Sequence, residues 1–128
     1  MTTLSDLIES THAAVYTYGV VAAFAKDTQL ALNNQATYRQ LRDDLISVAS
    51  ANGSRIPAAA AAYTFPIRVT NDVSAKTVAA RLENAVCGQW ADALAFDEKL
   101  RTDSFMAIPT QAALRAFAWS GISYAFPS

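Results

Sequence analysis

Apolar side chains recur along this chain at spacings of three and four, the period of helices that bury one face. Leu4, Leu7, Ile8, Thr11, Ala14, Val15, Tyr18, Val21, Ala22 and Ala25 form one such stripe and predict a first helix from about Leu4 to Ala25. Thr3 and Asp6 stand at capping-box spacing at its start. A second helix begins with Asp27 or Thr28 as N-cap and carries Leu30, Tyr38, Leu41, Leu45 and Val48 on one face. It closes at Asn52-Gly53, where glycine takes the left-handed conformation at little cost. A third starts near Asp72 or Ser74 and runs to about Leu100, with Val78, Leu82, Val86, Trp90, Leu94 and Phe96 on its apolar face. A fourth covers roughly Asp103 to Ile122, with Phe105, Ile108, Ala112, Ala116 and Trp119 in line and Pro109 as a kink or restart.

The stretch between Gly53 and Asp72 breaks this period. Alanines 58 to 62 have the length for one helical turn, while Pro66 pushes Phe65 towards extended geometry, so the rest reads as an extended connection. Short links join the first helix to the second and the third to the fourth, which makes both pairs antiparallel hairpins. The middle link differs. A helix of about 22 residues is roughly 33 Å long, and about 19 extended residues at ~3.3 Å each span that length. The reading is therefore all-α: a ferritin-like four-helix bundle with a long crossover between the second and third helices, in one domain over residues 1–128.

Composition agrees. About a fifth of the 128 residues are alanine, the best helix former. Hydrophobic residues make up 52% and charged residues 16%, as in soluble globular domains. A formal net charge of -1 and a pI near 5.7 argue against nucleic acid as a partner and against an electrostatic membrane surface. The longest nearly apolar run, His12 to Ala25, is shorter than the roughly 20 residues a bilayer requires, and Met1 to Asp6 carry no signal-peptide layout, so the expected location is cytoplasmic. Cys87 has no partner for an intrachain disulfide and, in its apolar context beside Val86, reads as a structural thiol. The four glycines contain no phosphate-binding loop, and no cysteine or histidine pair has zinc spacing.

The segments His12-Ala13-Ala14-Val15-Tyr16-Thr17-Tyr18-Gly19-Val20-Val21, Arg39-x-x-Arg42-Asp43-x-Leu45 and Tyr63-x-x-Pro66-x-x-Val69-Thr70-Asn71, with the closing Phe126-Pro127, occur in that order along most of the chain. Together they are similar to alanine-rich bacterial ferritin-like proteins of unknown function. The resemblance implies the ferritin-like fold and no established biochemical role.

Di-iron bundles place inward glutamates on two helices and Glu-x-x-His on the other two. Here Glu9-Ser10-Thr11-His12 matches Glu-x-x-His, and Glu83 is the other glutamate on a bundle helix with a chance to face inward. Glu9, His12 and Glu83 are thus the candidate metal ligands, with iron as the candidate metal. The set is short of donors, and arginines nearby favour carboxylate pairing over cation binding. The preferred reading takes Glu9 and His12 as a hydrogen-bonded polar pair and no cofactor. It takes Tyr16, Tyr38, Arg39, Arg42, Asp43 and Arg115 as a buried polar cluster in which Glu83 and Asp43 pair with arginine. Tyr16, Tyr18, Tyr38, Trp90 and Trp119 are candidates for lining a ligand cleft, against the commoner reading of aromatics at this spacing as core. The functional expectation is a non-catalytic helical scaffold or association module that has lost a complete di-iron site, working as a homodimer. A metal-binding oxidoreductase with a reduced ligand set is the alternative.

Overall fold

A computed structural model of the chain describes residues 1–65 and 67–120. Within them the regular structure is helical throughout: α1 (Leu4–Phe24), α2 (Thr28–Ala51), α3 (Asp72–Phe96), α4 (Asp103–Met106) and α5 (Ile108–Ser120), with a short 3-10 turn at Glu98–Leu100. Sequence-based expectations for Pro66, for a fourth helix reaching Ile122 and for the closing Phe126-Pro127 lie outside the described residues. Among the described residues no helix is long and apolar enough to cross a membrane.

Local chemistry sets the ends. At the start of α1 the Thr3 hydroxyl accepts from the Asp6 amide at 3.1 Å, while the Asp6 carboxylate accepts from the Thr3 amide at 2.9 Å. This reciprocal pair satisfies two donors that a bare helix start leaves open. Asp27 caps α2 through the Leu30 amide. Gly53, at φ 64°, turns the chain out of α2 and lets the Ser54 amide reach the Ala49 carbonyl at 2.8 Å.

Alanines 58 to 62 do not form the helical turn expected of them. Their surroundings take up the backbone groups instead: the Ala60 amide donates to the Tyr63 hydroxyl at 3.0 Å, and the His12 imidazole Nε2 donates to the Pro57 carbonyl at 3.0 Å. Helix α3 starts from a capping box made by Asn71 and Ser74 and ends at Phe96, four residues short of Leu100. The Asp97 carboxylate accepts from the Lys99 amide and starts a new turn, and Arg101 reaches back to the Leu94 and Ala95 carbonyls at 2.8 and 3.0 Å. A cation on the last carbonyls of a helix satisfies orphan acceptors and complements the dipole. The expected fourth helix is divided into α4 and α5. Pro109, which has no N–H to give, sits in the first turn of α5, where none is needed.

Paired side chains fix the helix directions. From α1 to α3 the links run Thr2 to Asp92, Ser10 to Gln89, Tyr18 to Glu83 and, from the turn after α1, Lys26 to Asp72, so these helices are antiparallel. Helix α2 returns along α1, with the Gln35 amide group on the Val15 carbonyl at 2.9 Å. Since both α2 and α3 oppose α1, they run the same way. Helix α5 opposes α3, with Trp90 on Phe105 at one level and Glu83 on Arg115 at another. The core is built from Leu7, Ile8, Val21, Leu45 and Trp90 together with buried alanines such as Ala14, Ala31, Ala49, Ala79, Ala93 and Ala116. Small side chains at these contacts let helix axes approach closely.

Asp72 ties the α1–α2 turn to the start of α3: it accepts from the Lys26 amide at 2.8 Å and lies 3.6 Å from Lys76. The amide bond from Lys26, then the neighbouring lysines, holds its carboxyl below the ordinary carboxylate value. A lowered pKa contributes stability above the ordinary value and loses it as pH falls through the folded-state value. Asp72→Asn is therefore expected to melt below the wild type at neutral pH, with the difference closing in acid. Thermal unfolding followed across pH 3 to 7 checks this. A constant difference would show that the Asp72 charge does not contribute to stability.

Candidate functional site

The polar centre of the molecule draws one or two side chains from each long helix. Tyr18 comes from α1, Asn34 and Tyr38 from α2, Glu83 from α3, and Arg115 and Trp119 from α5. Each lies on the inward register of its helix. On α2 the buried series Ala31, Asn34, Tyr38, Leu41 and Leu45 steps by three and four, so two polar residues take places in an apolar stripe.

Glu83 is fully buried. Its Oε1 accepts the Tyr38 hydroxyl, and its Oε2 accepts both the Tyr18 hydroxyl and, at 3.0 Å, the Arg115 Nε. The tyrosine oxygens are themselves supplied. Asn34 Nδ2 and Trp119 Nε1 donate to Tyr18 Oη at 3.3 and 3.1 Å, and Arg115 Nη2 donates to Tyr38 Oη at 3.2 Å. The two tyrosine rings stack with centroids 5.8 Å apart, and the Arg115 guanidinium lies 5.1 Å from the Tyr38 centroid. Among the described residues no buried side-chain nitrogen or oxygen lacks a hydrogen-bond partner. A closed network is what burial of a charge demands, because an unmatched polar group in a low-dielectric interior costs several times what a made bond gains.

The electrostatics follow from burial. Desolvation, then the nearby Glu83 charge, drives both tyrosine hydroxyls well above their ordinary value, so they stay neutral donors. Desolvation also pushes the Glu83 carboxyl up, while Arg115 and the hydrogen bonds from Tyr18 and Tyr38 work against it. For Arg115 desolvation acts to lower the guanidinium, but Tyr38 and Glu83 outweigh it and raise it, so its positive charge persists.

The candidate metal ligands do not meet. Glu9 is exposed and 3.7 Å from Arg55, and His12 bonds to Pro57. At about 100° per residue, nine positions turn Glu9 roughly half a circle away from Tyr18, the point where α1 touches Glu83. Among the described residues no three His, Cys, Asp or Glu side chains gather as a metal site. The donor set at the centre does not suit a di-iron pair either: one carboxylate, with both oxygens already accepting hydrogen bonds, faces a fixed cation.

Of the residues expected in a buried polar cluster, the structure brings Tyr38 and Arg115 together around Glu83 and places the other four elsewhere. Tyr16 packs on Tyr63 and Phe65, with centroids 5.4 and 5.9 Å away, Arg39 is exposed, and Arg42 pairs with Asp43 at 3.2 Å on the surface. Asn34 joins the cluster without having been singled out. Its signal was its spacing, four residues before Tyr38 on the same stripe. Tyr18 and Trp119, read as cleft candidates or core, are hydrogen-bonding members of the network, while Trp90 is packed core against Phe105 and Cys87 is half-buried.

The described residues form an all-helical fold whose polar centre is an internally neutralised hydrogen-bond cluster. A family model described as Domain of unknown function (DUF4439) matches residues 3–128, and the chain belongs to that family. Among solved structures it is similar to the crystal structure of a conserved hypothetical protein, rv2844, from Mycobacterium tuberculosis. The TM-score is 0.83 with 29% sequence identity, and 92% of each chain is covered. No curated protein sequence matches.

Proposed function

We propose that the chain is one ferritin-like domain over residues 1–128 whose work is association rather than catalysis, with residues 52–71 as the long crossover between α2 and α3. Parallel α2 and α3, each antiparallel to α1, support the ferritin-like topology. One observation carries the non-catalytic reading: both oxygens of Glu83 are taken by Tyr18, Tyr38 and Arg115. The guanidinium provides the positive charge that a metal would bring to such a carboxylate. Oxidation of Fe(II) in air is therefore expected to run no faster with the protein than in buffer. An acceleration that Glu83→Gln abolishes would overturn this reading.

Association is supported by the outer face of α4 and α5. Met106 on α4 and Leu114 and Phe117, three apart on α5, are 55%, 62% and 52% exposed. Large apolar side chains left in water favour a self-complementary contact between two copies. Light scattering at tens of micromolar is expected to give a homodimer, and a Leu114→Asp, Phe117→Asp double variant a monomer. A monomeric wild type would remove the association reading.

A further inference from the structure

A cleft of about 690 Å³ opens between the first half of α3 and the end of α5, within the size range of small-molecule sites. Antiparallel pairing of Glu83 with Arg115 puts Trp119 level with Ala79, so the end of α5 faces the first half of α3 across the cleft. Val73, Ala80 and Trp119 give the cleft apolar walls, and Lys76, Arg81 and Asn84 stand along it. Trp119 is only 4% exposed, so it supplies an apolar floor but no open ring face on which a planar ligand would stack.

The charges are unbalanced. Lys76 lies 3.6 Å from Asp72, whereas Arg81 is exposed and has no ion pair among the described residues. Two cations against one acid leave one net positive charge along the cleft. An apolar floor beside one uncompensated cation fits a ligand with a single negative charge and a flexible aliphatic body.

We propose that this cleft binds an amphipathic monoanion, an aliphatic carboxylate of medium chain length, with its head at Arg81 and its chain over Val73, Ala80 and Trp119. The site meets the Glu83 cluster at Trp119 and goes beyond the association reading, which stands or falls independently. Binding is visible at Trp119, since its indole lines the cleft.

The experiment titrates the full chain with decanoate below its micelle concentration, using calorimetry and tryptophan fluorescence. The expected result is saturable one-site binding with a change in emission, weakened about tenfold by Arg81→Glu and unchanged by the control Arg39→Glu on α2. Decanol, with the same chain and no charge, is expected to bind about tenfold more weakly than decanoate. Arg81 is exposed, so the reversal leaves the core intact, and unfolding midpoints confirm this for each variant. Absence of saturable binding overturns the proposal, as does an affinity that Arg81→Glu leaves unchanged or that decanol equals. Adsorption to the apolar face at Leu114 and Phe117 would give an affinity insensitive to Arg81 and so falls among the overturning results.

Discussion

Glu83→Ala is expected to destabilise the protein by about 3 to 5 kcal/mol, the range for removing one partner of a buried charge pair. The carboxylate accepts from two buried tyrosine hydroxyls and a guanidinium whose side chain is 17% exposed, so its loss strands three donors at once. Urea unfolding monitored by circular dichroism measures the change. A loss below about 1 kcal/mol would mean that the network relaxes to water and that Glu83 does not hold the helices together. A contrasting variant separates specificity from stability. Replacing the set together, as Tyr18→Phe, Tyr38→Phe, Glu83→Leu and Arg115→Met, removes every stranded group and is expected to recover most of the loss, because apolar replacement of a complete buried ion pair is often neutral or better.

Trp90→Ala is expected to cost about 3 to 5 kcal/mol for a different reason, the cavity left by a large aromatic in a packed interior. Trp90 is 2% exposed and its ring lies 5.3 Å from that of Phe105, which joins α3 to α4 where the chain reverses. The same urea experiment reads this change. A cost near that of a surface substitution would show that the corner between α3 and α4 is loosely packed.

How much of this was legible in the sequence depended on whether the signal was local. Capping at Thr3 and Asp6, the left-handed Gly53 and the break before Pro109 are decided within a few residues, and the spacing announced each. The end of α3 was not announced. Its apolar stripe continues to Leu100, and the stop at Phe96 comes from the Asp97 carboxylate turning onto Lys99 and from Arg101 reaching back to Leu94 and Ala95. Alanines 58 to 62 have helical propensity, but their stretch is held by His12 and Tyr63, partners that propensity does not know.

The site shows the same division. Inward spacing marks Tyr38, Glu83 and Arg115 as polar residues in apolar stripes. It does not say which arginine meets which acid: Arg42 lies one residue from Asp43 and pairs there, while Arg115, thirty-two positions away in the chain, reaches Glu83. A Glu-x-x-His match states that Glu9 and His12 share a side of α1, but the rotation of that side relative to Glu83 is a property of how the helices pack.

Arg115, Tyr18 and Tyr38 take up both oxygens of Glu83, and on the proposed reading this leaves no carboxylate free for a metal. The most direct test is metal content by mass spectrometry on tag-free protein, before and after incubation with Fe(II), for the wild type and Glu83→Gln. Substoichiometric metal is expected in both proteins, with no difference between them. Stoichiometric iron in the wild type that is lost in Glu83→Gln would contradict this reading.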